Sequence, residues 1–151
     1  MDLIQLLEDN YQVIIDEASN SLARAHLKHY EQAGAEQTQD RLKSLFELTV
    51  RSVKKKNLAP MISFSEQLAW ERFNAGFDLY EVQTAFNVLE ETIWKRILKE
   101  LPSAAFAEAF GLVSTVLGAG KDALARTYVS LASESKTPTL DLTELFEGAE
   151  G

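Results

Sequence analysis

Two histidines, His26 and His29, stand three residues apart in a chain of 151 residues that contains no cysteine. On one helix, that spacing presents two imidazoles to a single metal ion. Two ligands do not make a zinc site, and nothing in the sequence identifies carboxylates to complete it. The preferred reading is one histidine at the edge of the core, one exposed, and no metal centre. Haem bound through a proximal histidine is a further option for helical folds. Both histidines fall in the first helical stretch, far from the central helices, and this argues against haem.

The remaining candidates for chemistry are carboxylates and one arginine. Glu66, Glu71, Glu81, Glu90 and Glu91 are scattered over amphipathic stretches. Adjacent helical residues project about 100° apart, so Glu90 and Glu91 do not form an acid–base pair. No Gly-rich phosphate loop, Gly-x-Ser-x-Gly elbow or His-Glu-x-x-His occurs. Thiol catalysis is excluded by the lack of cysteine. The expectation is a chain with no enzymatic activity and no cofactor. Arg72, near a helix end, is expected to offset the helix dipole and pair with a carboxylate; contact with an anionic ligand is the alternative. Trp70 and Trp94 are expected at the core or its edge, with Trp94 the more buried.

The elements that must position these residues are helical throughout. Hydrophobic residues make up 46% and charged residues 25%, the composition of a folded globular domain. The net charge of −8 repels phosphate backbones, so no nucleic acid is expected as partner. Lack of cysteine and of a leader-like N-terminus fits the cytoplasm. The apolar stretch 104–120 carries Glu108 and three glycines, and it reads as a core helix with no membrane insertion.

Five long helices are predicted. The first spans Asp2 to Gln32, with Ile4, Leu7, Tyr11, Ile14, Ala18, Leu22, Ala25 and His29 as its apolar stripe. The second starts from a Thr38 cap, carries Leu42, Leu45, Phe46, Thr49, Val50 and Val53, and ends in the basic run Arg51, Lys54, Lys55 and Lys56. The run suits the electronegative end of a helix, with docking of an acidic partner as its functional alternative. The third spans Pro60 to Ala75 with Met61, Phe64 and Leu68 inward. The fourth runs from Leu79 to Leu101, with Val82, Phe86, Leu89, Ile93 and Ile97 as its stripe. Pro102 ends it, and the fifth runs from Ser103 to Ser133. Gly111, Gly118 and Gly120 read as a close helix crossing, or as a break near Gly118 to Gly120. Residues 1–134 thus form one all-α domain, globin-like or a helical bundle. Residues 135–151 form a linker and short acidic tail, with Leu142, Leu145 and Phe146 as possible partner-docking positions.

The best-specified stretch joins the third and fourth helices. Gly76 suits the left-handed residue that closes a helix. Asp78 and Glu81 have capping-box spacing, and Phe77 and Val82 have that of a hydrophobic staple. With Arg72, these residues define a tight helix–helix corner. Glu66 to Trp94, EQLAWERFNAGFDLYEVQTAFNVLEETIW, resembles the N-terminal sensor domain of RsbR/RsbRD-type regulators in the spacing of Leu68, Arg72, Gly76-Phe77, Leu79, Val82 and Leu89. The resemblance implies a non-haem, globin-like regulatory module of bacterial stress signalling that dimerises and passes a signal through its C-terminal helix. In that family the helix leads into a STAS domain. Here an acidic tail follows, so a free-standing sensor or adaptor is expected.

Two function classes follow. The first is a non-enzymatic signalling domain acting as a homodimer on an unidentified signalling protein. The second is a sensor or carrier for a small apolar ligand, with a pocket beside Phe86, Phe110 and Val113 where the glycines of the fifth helix leave room. A metal protein built on His26 and His29 is a third reading, disfavoured by the ligand count.

Overall fold

A computed structural model describes residues 1–136, with side chains to residue 134. The chain is an all-α, single-domain helical bundle, and no strand occurs among the described residues. Among the described residues there are seven α-helices: α1 (Leu3–Asp9), α2 (Tyr11–Arg24), α3 (Lys28–Ala33), α4 (Ala35–Lys55), α5 (Ala59–Asn74), α6 (Leu79–Glu100) and α7 (Phe106–Lys136). A single 3-10 turn, Ser103–Ala105, leads into α7 after Pro102.

The predicted first helix is three helices, interrupted at Asn10 and again at His26. At Asn10 the backbone leaves helical geometry (φ −108°, ψ 19°). Its side-chain amide donates at 2.8 Å to the Leu6 carbonyl and at 2.8 Å to Glu100 on α6. A short amide that competes for a backbone carbonyl bends a helix. The second interruption is sharper. Ala25 and His26 close a tight turn onto Leu22 and Ala23, and His26 adopts a left-handed φ of 50°. The chain then re-enters helix as α3. Gly34 (φ 89°, ψ 159°) turns α3 into α4, so α4 starts at Ala35, ahead of the predicted Thr38 cap. Thr38 instead lies buried in the first turn of α4.

The core follows most of the predicted stripes, but Ile4, Tyr11, Phe64 and Leu68 are only half-buried and Ala25 is exposed. Leu7, Ile14, Ala18, Leu22, Leu42, Phe46, Met61, Val82, Phe86, Leu89 and Ile93 are buried. Burial of each large side chain contributes about 1.5–3 kcal/mol. The ends of α5 and α6 fall within one residue of their predicted positions.

The fifth predicted helix is continuous as α7 for 31 residues, through Gly118 and Gly120 and past Ser133. Its length and composition would suffice to cross a membrane. Here Ala109, Val113, Leu117, Leu124 and Tyr128 are buried, and the helix packs mainly on α5 and α6. The crossing point is Gly120 alone. A Cβ there would stand 2.8 Å from Phe86 Cε2, 2.9 Å from Met61 Sδ and 2.9 Å from Ser65 Oγ. Gly111 and Gly118 face open space.

Neither tryptophan is buried. Trp94 is 39% exposed and Trp70 56%. Trp94 stays on the rim because its ring packs edge-on against Phe110, itself half-buried, at 5.9 Å. The tail residues Leu142, Leu145 and Phe146 lie outside the described residues.

Candidate functional site

The predicted corner forms, and it organises the surrounding polar groups. The Gly76 N–H donates to the Phe73 carbonyl at 3.1 Å and the Phe77 N–H to the Arg72 carbonyl at 3.0 Å. With Gly76 at φ 87°, this is a Schellman closure of α5. A capping box starts α6, in which Glu81 accepts from the Asp78 N–H at 3.0 Å. Phe77 and Val82, the two staple positions, are both buried.

Glu81 does more than cap α6. Its Oε2 accepts the His29 backbone N–H at 3.0 Å, and its Oε1 lies 2.7 Å from His29 Nδ1. One carboxylate therefore closes a capping box and fixes the start of α3, 52 residues away in sequence. Burial works against its ionised form. The N–H groups of Asp78 and His29 and the imidazole outweigh burial and hold the carboxyl below its ordinary value. The histidines thus lie as expected, with His29 at the core edge and His26 exposed. They face different carboxylates, since His26 Nδ1 lies 2.9 Å from Glu31. Among the described residues no cluster of three or more potential ligands could hold a metal.

Glu90 and Glu91 also part company. Glu90 is buried and paired with Lys121 at 3.4 Å, whereas Glu91 pairs with Lys95 at 3.1 Å on the surface.

Beside the corner, a half-open cavity of about 320 Å³ lies against α4, α5 and α6. Leu42, Leu45, Phe64 and Phe86 supply its apolar wall. Its polar wall is Tyr30, Thr38, Arg41 and Arg72. The exposed carboxylates of Asp40 and Glu71 are at its edge.

Arg72 lies in the last turn of α5, as expected, but without the carboxylate partner. It is 7% exposed and forms no ion pair among the described residues. Arg41, half-buried on α4, forms none either. Their guanidinium carbons lie 5.3 Å (Arg72) and 5.7 Å (Arg41) from the centroid of the same ring, Phe77. Cation–π attraction holds both cations near the ring but gives their N–H groups no acceptor. Burial, and then the charge of Arg41, pull the Arg72 guanidinium below its ordinary value. Burial raises the Tyr30 hydroxyl, opposed by the charges of Arg72 and Arg41.

Five buried side-chain polar atoms lack a hydrogen-bond partner among the described residues, and three belong to residues that line the cavity: Thr38 Oγ1, Arg41 Nη1 and Arg72 Nε. With its amide oriented to satisfy both ends, Gln37 accepts from Arg41 Nη2 at 3.3 Å, which leaves Nη1 unmatched.

The expected pocket of Phe86, Phe110 and Val113 does not assemble. Phe86 borders the cavity, but Phe110 packs with Phe106 and Trp94, and Val113 is fully buried in the core. Gly120 leaves no room because Phe86, Met61 and Ser65 already occupy the space. Of the predicted corner residues, Arg72 and Val82 reach the cavity. Sequence reasoning missed Tyr30, Thr38 and Arg41. Arg41 sits within a predicted helix and reads there as an ordinary solvated cation; its proximity to Arg72 comes from the fold.

No protein-family model, curated protein or solved structure matches the chain.

Proposed function

We propose that the chain is a non-enzymatic sensor module that binds a small ligand in the cavity beside the α5–α6 corner and reports it through protein–protein contacts. The observation carrying this reading is the cavity itself. At about 320 Å³ it falls in the size range of small-molecule sites, largely apolar with a few convergent polar groups. The corner gives it something to act on. Phe77 packs against both arginines, His29 and Tyr30, and its carbonyl accepts the Tyr128 hydroxyl of α7 at 3.0 Å. A ligand that moves either arginine acts on a residue joined to α3 and α7. The resemblance to RsbR-type sensor domains agrees with this role and with a globin-like arrangement working in the cytoplasm.

A second reading is homodimerisation with signalling by contact alone. Its support is an aromatic and apolar surface on α6 and α7, where exposed Trp94 and Leu98 adjoin half-buried Phe106 and Phe110.

Native mass spectrometry of gently purified protein, followed by the same sample denatured, tests both. Extra mass lost on denaturation is the expected result for the sensor. A clean apo dimer would overturn ligand sensing and leave the contact reading, and a clean monomer at high concentration would defeat dimerisation.

A further inference from the structure

We infer that a groove between α4 and the first half of α7 receives the acidic segment Leu140 to Glu147 of a second copy of this chain. Neither the cavity ligand nor the Trp94 surface enters the inference.

α7 supplies the first observation. It is apolar enough to cross a membrane, yet only 28% of that apolar stretch is buried inside the bundle. Its first half borders two adjoining hollows of about 400 and 420 Å³, which share Val53, Lys56, Glu108 and Leu112. Together they form one groove, with α4 as one bank and α7 as the other. Val53, Leu58, Leu112 and Val116 give it an apolar floor.

Two residues of this groove have features that the bundle itself leaves unused. Gly111 lines it, and a Cβ there would meet nothing. Glycine is less favourable than alanine inside a helix, and no close crossing within the chain calls for it here. It leaves a notch in the α7 bank that an incoming side chain fills. Ser52, 1% exposed, lines the same groove, and its hydroxyl has no partner among the described residues. A peptide carbonyl lying along the groove would accept from it.

Charge selects the occupant. The α4 bank ends in Arg51, Lys54, Lys55 and Lys56. Among the described residues only Lys54 of these forms an ion pair, with Glu8 at 3.0 Å. Lys54 and Lys56 border the groove. Past Lys136, the sequence Leu140-Asp141-Leu142-Thr143-Glu144-Leu145-Phe146-Glu147 mixes apolar residues with carboxylates and contains no cation. Leu142, Leu145 and Phe146 suit the apolar floor, and Asp141, Glu144 and Glu147 suit the lysine bank. Glu108, on the α7 bank, repels those carboxylates and turns them toward α4. Asp2, at the end of the groove, already accepts the Gln5 N–H at 2.8 Å. Exposed ion pairs add little affinity, so apolar burial supplies most of it and charge sets the choice and orientation.

Reach decides whose segment it is. Lys136 lies 20 residues beyond Val116, the last groove residue on α7, which is about 30 Å of helix. Leu142 is six residues past Lys136 and extends at most about 22 Å from it. A chain cannot lay Leu142 in its own groove, so the donor is a second copy.

The test is fluorescence anisotropy with a labelled synthetic peptide of residues 137–151. It is titrated with the full chain carrying Leu145→Glu and Phe146→Glu, whose own tail does not compete. Saturable binding at micromolar concentration is expected. Adding Gly111→Leu, which fills the notch, should weaken it about tenfold, and adding Lys55→Glu with Lys56→Glu about threefold. Trp94→Glu, on the other flank of α7, should leave it unchanged, and circular dichroism establishes that each variant folds. In sedimentation velocity the wild-type chain should associate with rising concentration, and the chain with Leu145→Glu and Phe146→Glu should not. No peptide binding at millimolar concentration would overturn the inference and leave the groove to a different partner. Affinity unchanged by Gly111→Leu, or lost with Trp94→Glu, would place the segment elsewhere and likewise overturn it. A wild-type chain that stays monomeric would remove the second copy as donor.

Discussion

Replacing Gly120 by alanine should destabilise the protein, although the same change at Gly111 should stabilise it. Both glycines lie inside the continuous helix α7. In a helix interior each change gains roughly 1 kcal/mol from propensity. At Gly111 the new methyl meets nothing within 4 Å, so that gain stands. At Gly120 it would stand 2.8 Å from Phe86 Cε2 and 2.9 Å from both Met61 Sδ and Ser65 Oγ. Overpacking of this kind costs about 1–3 kcal/mol. The Met61 tip can rotate away, but the Phe86 ring borders the cavity, so its displacement is taken up there. The net change at Gly120 is therefore between about zero and a loss of about 2 kcal/mol. Because propensity cancels between the two variants, the difference between them, about 1–3 kcal/mol, isolates packing. In a chain of 151 residues each kcal/mol moves the melting temperature by about 2–4 °C. Thermal and urea unfolding, followed by circular dichroism, would measure both. If Gly120→Ala melts at or above Gly111→Ala, α7 does not cross α5 and α6 as closely as described.

Further expectations concern charge and backbone. Glu81→Gln leaves at least one of the three groups bound by the carboxylate facing an amide donor, and should cost about 1–3 kcal/mol at neutral pH in urea unfolding. The folded Glu81 carboxyl lies below its ordinary 4.5, so its stabilisation is complete above that value and is lost as pH falls through the folded value. The variant should accordingly show a flatter acid limb in stability against pH, and an unchanged limb would show that Glu81 is not responsible. Arg72→Met should raise stability by about 1–3 kcal/mol, because it replaces a buried charge that pairs with no carboxylate among the described residues by an apolar chain of similar reach. A loss of stability would mean that Arg72 is satisfied in the folded state. Lys56→Gly should raise the unfolding free energy measured in urea by roughly 0.5–1 kcal/mol, since Lys56 closes α4 at φ 50° with an exposed side chain.

The parts of the fold legible in the sequence were those decided within a few residues. Gly76, Asp78 and Glu81 specify the corner through bonds spanning three to five positions, and the stripes of α4 and α6 follow from helical spacing alone. The breaks in the first predicted helix depend on distant partners. Asn10 is tied to Glu100, and α3 is anchored through His29 to Glu81. No window around residue 10 or residue 26 contains that information. Thr38 offered a start for α4, but the helix starts one turn earlier at Gly34, whose positive φ turns α3 into α4. The candidate site was the least legible part. Arg72 was singled out, with an anionic ligand as its lesser role, but Arg41 and Tyr30 acquire meaning once α3 and α4 pack against the corner.

Gly120 and Tyr128 together make α7 a lever. Gly120 is seated without clearance against Phe86, Met61 and Ser65, which makes it a fulcrum. Tyr128, held by the corner carbonyl, lies about 12 Å further along at 1.5 Å per residue. Lys136, the last residue of the helix, lies about 24 Å from the same fulcrum. A rigid rod pivoting at Gly120 therefore moves twice as far at Lys136 as at Tyr128. A shift at the corner too small to disturb the core arrives doubled at Lys136.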